Sequence, residues 1–228
     1  MVNPTPARTA PAPVLWLFAI LAGLLAVAAT TGFRAAITAV QWLTTGQVGS
    51  LVESARHLPP WQRVLIGAAG GLLAGLVLHW GGRWATRGPQ GGTHVDYLDA
   101  ARTRTVDLND RTTWVRSVSA LLSVGSGASI GREGPMIQLA AWLSAKLAHF
   151  APLSTEQRTV IMICGIASGI GAAYHAPVAG VVFVLELALG FLSASMMTPV
   201  LIAAATSGVL VYGLTDPIPL YAMPRVRL

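Results

Sequence analysis

Charge is scarce in this 228-residue sequence: Asp, Glu, Lys and Arg make up 11% of it, against about 25% in soluble domains. With 54% hydrophobic residues and a mean hydropathy of +0.61 beside that scarcity, no water-facing surface can be built, which excludes a soluble enzyme or binding module. Most of the chain must meet lipid or other buried helices. Cysteine is nearly absent as well. The single Cys164, inside an apolar run, excludes an internal disulfide and leaves the redox compartment open. Spaced His or Cys ligands are missing, so no metal and no cofactor is implied. There is no strand signal, soluble linker or internal repeat.

The charge that is present is mostly positive, +6 net from 15 Lys and Arg, nearly all Arg, against 9 Asp and Glu. Arg8, Arg56, Arg63, Arg83, Arg87, Arg102, Arg104, Arg111 and Arg116 fall between apolar runs. There, positive charge orients a membrane protein and meets anionic lipid headgroups. No patch interleaves basic with aromatic residues, so nucleic acid is not an expected partner.

A membrane-spanning helix needs about 20 mainly apolar residues. Stretches of that kind cover 14–43, 64–84, 114–130, 135–150, 160–174 and 195–214, with a further apolar stretch at 177–192. Arg8 and the small residues 26–29 imitate a secretory signal, but apolar character resumes through 35–43, too long for a signal core. The expected organisation is a disordered Pro-rich tail over 1–13, an all-α transmembrane domain over 14–214, and a tail or truncation point over 215–228. Residues 95–101 read as one short amphipathic helix. Gly67, Gly71 and Gly75, like Gly165 and Gly169, recur every four residues, a spacing that lets helices approach closely.

Several spans are interrupted, at Gly125-Ser126-Gly127, at 131–135 and at His175-Ala176-Pro177. Non-helical backbone at membrane depth is tolerated where it is buried in protein or lines a wet cavity. Broken helices whose ends meet at the midplane are how transporters build ion sites. Glu133 and Glu186 are the carboxylates set in apolar surroundings, and an ionisable residue there points to function. Glu133 stands in Gly131-Arg132-Glu133-Gly134-Pro135, just ahead of the apolar run 136–150. Gly followed by Pro at the first helical position marks a helix start. The first turn offers N–H groups without internal partners and the positive end of the dipole, which together favour an anion. A carboxylate at that point occupies the site as a tethered anion, which chloride must displace or a proton neutralise. The plainer alternative is a first-turn carboxylate favoured by the dipole, worth about 0.3–1 kcal/mol.

These residues resemble the CLC chloride channels and chloride/proton antiporters, whose hallmark Gly-(Lys/Arg)-Glu-Gly-Pro is matched at 131–135. The stretch 165–186 is similar to the family's small-residue helix, its Asn-Ala-Pro break and the Glu-bearing helix after it. Asp96-Tyr97-Leu98 and the Arg-rich loop look most like the bacterial ClcB-type branch. The resemblance covers 14–214 and corresponds to the first of the family's two inverted repeats, with tilted and broken helices. It implies Glu133 as the gating glutamate, and an anion site at Gly131, Arg132, Gly134, Pro135, Met136 and Ile137, with N–H donors near Gly134, Met136 and Ile137. A family Gly-Ser-Gly-Ile-Pro segment aligns with 91–95, where Gly92 replaces the chloride-coordinating Ser and Thr93 is the substitute at hand.

Antiporters of the family carry a second glutamate after the one matching Glu186, and here that position is Leu187. The expected function is therefore channel-like, glutamate-gated chloride transport rather than tight proton coupling, with Glu186 a structural carboxylate that has a buried partner. The tyrosine and Gly-x-Phe-x-Pro helix start of the second repeat have no counterpart after 214, so a truncated, non-conducting membrane fragment is the alternative. By resemblance the complete protein is a homodimer in the bacterial inner membrane, its interface partly on 177–192 and 195–214. An enzyme is not expected: Ser126 lacks the Gly-x-Ser-Gly pattern because Val124 precedes it, and His175 is explained by its helix-break setting.

Overall fold

The computed structural model describes residues 9–46, 56, 58–87, 96–187 and 194–214. These form eight helices: α1 (Ala12–Thr45), α2 (Pro60–Thr86), α3 (Tyr97–Thr103), α4 (Asp110–Gly125), α5 (Glu133–His149), α6 (Thr155–Tyr174), α7 (Pro177–Leu187) and α8 (Ala194–Leu214). By length and apolar composition, Ala12–Thr45, Pro60–Thr86 and Met196–Leu214 suffice to cross a membrane. The expected short helix at 95–101 is α3. The expected span 114–130 is cut short, because α4 ends at Gly125 and Gly127 takes φ +104°.

The helix ends follow from local chemistry. Pro11 and Pro59 open α1 and α2, their missing N–H groups being ones a first turn leaves unpaired anyway. Asn109 caps α4 by accepting from the Thr112 N–H at 3.1 Å. Ser154 and Gln157 form a capping box on α6, and Gln157 also grips both backbone groups of Ala10 ahead of α1. That box starts α6 five residues before its apolar stretch, earlier than hydropathy alone suggests.

α6 is the axis of the fold. Every residue from Thr159 to Ala173 is buried, and α1, α5, α7 and α8 pack around it, while α2 packs against α4 at the side. Because lipid is as apolar as leucine, such helices associate by close packing rather than by the hydrophobic effect. On α6 the small residues do that work. A Cβ on Gly165 would meet the Ala140 carbonyl at 2.7 Å, and one on Gly169 the Ala140 Cβ at 2.9 Å. As the numbers rise along α6 they fall along α5, so the two run antiparallel.

The stripe Gly67, Gly71, Gly75 behaves otherwise than its spacing suggests: a Cβ on any of them meets nothing within 4 Å. The α2–α4 contact runs through Gly70, which faces Ser126, with Ala74 buried one turn on and Gly81 against Val115 two turns further along. The contact face is thus turned by one residue from the glycine stripe.

At the end of α5 remote from Glu133, Asp110 accepts from Lys146 Nζ and Trp142 Nε1, both at 2.7 Å. Burial works against ionisation of Asp110, but those two hydrogen bonds and the Lys146 charge outweigh it and lower its pKa. A carboxyl held down in the folded state stabilises the fold above its unfolded pKa, about 3.9. That stability is lost as pH falls through the folded pKa. The two side chains are 43% and 49% exposed, so solvent screening leaves a few tenths of a kcal/mol. Between about pH 6 and about pH 3 the thermal midpoint of the detergent-solubilised chain is expected to fall more than that of Asp110→Asn, by roughly 1 °C. Identical acid dependence of the two would remove this role.

Candidate functional site

The candidate site lies where α5 begins. α5 starts at Glu133, two residues before the expected position, with Arg132 as its N-cap residue (φ −81°, ψ −11°) and Pro135 third rather than first. Proline is tolerated there because its N–H would be unpaired in any case. The shift changes which donors are free. In helical register the N–H groups of Met136 and Ile137 lie over the carbonyls of Arg132 and Glu133. The groups without a carbonyl one turn back are those of Arg132, Glu133 and Gly134. Met136 and Ile137 are buried, at 1% and 5% exposure, and contribute packing.

The Glu133 side chain curls back over its own helix end. Its Oε1 lies 4.0 Å from Arg132 Nε, and its Oε2 sits 3.0 Å from the point a Cβ on Gly131 would occupy. Gly131 therefore clears the space that the carboxylate fills. Gly134 has nothing within 4 Å of its own Cβ direction, so the first turn is open beside it.

Because α5 and α6 are antiparallel, the start of α5 meets the end of α6. Met136 packs with Ala173, Phe33 and Ile37 in one cluster. α6 stops at His175, a non-glycine residue held at φ +54°, and the N–H groups of His175 and Ala176 both return to the Gly171 carbonyl. Arg34 of α1 donates from one terminal nitrogen to the carbonyls of Ala173 (2.7 Å) and Ala172 (3.5 Å). Tyr212 of α8 donates to the His175 carbonyl at 2.7 Å and sets its ring edge-on to the imidazole. α7 starts at Pro177, seated against Gly171 and Gly208. Two helix starts, one helix end and an arginine from a long apolar helix thus converge at one place.

Arg34 is absent from the residues that the motifs single out. Its signal was available: an arginine within the apolar stretch 14–43 is an intramembrane charge. Thr93 lies outside the described residues. Glu186 is exposed near the end of α7 and has no ion-pair partner among the described residues, because α7 buries Gly180, Val181 and Val184 and the position two residues on points away.

Comparison with known proteins bears on the family and the fold. The voltage gated chloride channel family matches residues 70–228. A ClcB-like chloride channel protein of Ralstonia nicotianae is 43% identical over 212 residues, covering 90% of this chain and 48% of that protein. The voltage-gated ClC-type chloride channel ClcB of Citrobacter koseri is 39% identical over 193 residues, covering 84% and 45%. The chain spans about half the length of the curated relatives it matches. A slow cyanobacterial Cl−/H+ antiporter superposes with a TM-score of 0.67 at 18% identity, over 90% of this chain and 47% of that one, a likeness of fold. With a matched family over most of its length, close relatives and a shared helical fold, this chain belongs to the voltage-gated chloride channel family, the CLC proteins.

Proposed function

We propose that the chain supplies one half of a chloride pathway in which the Glu133 carboxylate is a tethered anion that the permeating ion displaces. One observation carries the reading: the carboxylate lies folded over an open helix start, in space cleared by Gly131, rather than extended away from it. The N–H groups of Arg132, Glu133 and Gly134 are the donors it competes for. Leu187, which follows Glu186 and cannot carry a proton, favours channel-like conduction over tight proton coupling. The reading places the chain in a bacterial inner membrane, in contact with lipid and as a homodimer through α7 and α8.

Chloride efflux from liposomes reconstituted with the 228-residue chain tests this. Efflux is expected, and Glu133→Ala is expected to change its rate by roughly tenfold, the effect of about 1.4 kcal/mol on a barrier. Efflux that Glu133→Ala leaves unaltered would falsify the gate. No efflux from either protein favours the second reading, a membrane half that folds without conducting, which the coverage of about half of each relative supports.

A further inference from the structure

The meeting of α5 and α6 poses an electrostatic problem for an anion site. The start of α5 presents the positive end of its dipole, but the end of α6 presents the negative end of another at the same place. Each is equivalent to about half an elementary charge. Left alone, the end of α6 offsets one of the two positive helix starts that meet here, those of α5 and α7, and weakens the field that an anion at Glu133 would feel.

Arg34 stands at this junction. It is the residue after Phe33, which packs with Met136 and Ala173, and its guanidinium caps the Ala172 and Ala173 carbonyls in the last turn of α6. Glu133 and Arg132 both lie within electrostatic range of it. Its Nε is buried and has no hydrogen-bond partner, so a cationic donor is left without an acceptor at the junction. A cap alone does not require a delocalised charge in an apolar helix, where ionisable groups are expensive. Serine or glutamine can satisfy carbonyls at lower cost.

We infer that Arg34 is a positioning residue for the anion, neutralising the negative end of α6 so that it does not offset the positive helix start at Glu133. This rests on the reading of Glu133 as an anion gate. The role belongs to the charge more than to the fork of hydrogen bonds, which separates it from simple capping. Lysine in its place keeps the charge and loses the fork, whereas glutamine keeps a donor and loses the charge.

The test measures how chloride and bromide raise the thermal midpoint of the purified full chain in detergent, for wild type, Arg34→Gln and Arg34→Lys. Arg34→Gln is expected to weaken the apparent halide affinity by roughly tenfold, and Arg34→Lys to stay within about threefold of wild type although its basal midpoint drops. If Arg34→Gln and wild type respond alike to halide, Arg34 is a structural cap and the inference is overturned. Where Arg34→Gln does not fold, Arg34→Lys decides: a folded protein that has lost its halide response overturns the inference, and one that keeps it supports it. A wild-type chain without any halide response fails differently, removing the anion site itself and Arg34's role with it.

Discussion

Gly165→Leu is expected to abolish the folded protein, giving an aggregated or expanded species on size-exclusion chromatography in detergent. Gly165 lies at the middle of the α5–α6 seam, where a Cβ alone would meet Ser144 and the Ala140 carbonyl. One of those obstacles is backbone and cannot rotate aside, so accommodation means parting the helices. Overpacking of a well-packed core costs typically about 1–3 kcal/mol and occasionally more, against a total stability of about 5–15 kcal/mol. Here a whole isobutyl group must enter a contact that already lacks room for one carbon. α6 is buried all round between Thr159 and Ala173, so relief on one side is a clash on another. Gly169→Ala, whose Cβ meets the Ala140 Cβ at 2.9 Å and the Ile137 Cα at 3.4 Å, must push α5 and α6 slightly apart and is expected to keep a monodisperse peak with a lower thermal midpoint. Gly71→Leu serves as the contrast, since its Cβ direction is open. A Gly71→Leu protein as damaged as Gly165→Leu would mean that the packing face of α2 is wrongly assigned.

That contrast also shows what the sequence does and does not carry. The helices are legible, because apolar runs of sufficient length and the breaks at 125–127, 131–135 and 175–177 need only local chemistry. Helix faces are less so. A four-residue glycine period is shared by the 67–75 stripe, which faces open space, and by Gly165 and Gly169, which meet α5. Sequence spacing cannot say which neighbour a face will find. The motif around Glu133 reads from the sequence as an anion site with donors near Gly134, Met136 and Ile137, whereas α5 begins at Glu133 rather than Pro135, which leaves the N–H groups of Arg132, Glu133 and Gly134 without a carbonyl one turn back. Arg34 reaches carbonyls 138 and 139 positions away along the chain, a pairing no local pattern encodes. Glu186 is exposed on α7 although its neighbours are apolar, since apolar neighbours on a membrane helix can equally face lipid.

Glu133→Ala is expected to raise the apparent halide affinity of the chain by roughly tenfold, the size of a coupling of about 1.4 kcal/mol. The tethered carboxylate and a free anion compete for one set of donors, and the tether gives the carboxylate an advantage. Even a short flexible linker confers an effective concentration in the millimolar range, and a side chain attached within the first turn confers more. A halide must overcome that concentration before it is bound at all. With the carboxylate removed, the same donors and the same Arg34 and Arg132 charges face the halide without a rival. Binding to the folded state stabilises it by RT ln(1 + [L]/Kd), so above saturation a tenfold change in Kd adds about 1.4 kcal/mol. For a chain of this size that is roughly 3–6 °C in the thermal midpoint. Glu133→Gln, which keeps the shape over Gly131 and loses the charge, is expected to respond to halide nearly as Glu133→Ala does. If instead Glu133 is only a first-turn carboxylate favoured by the helix dipole, its removal lowers stability by about 0.3–1 kcal/mol at every halide concentration. The rise of each protein's midpoint above its own halide-free value, rather than the absolute midpoint, therefore separates a gate from a cap, and equal rises for wild type and both variants at every halide concentration would leave Glu133 a cap.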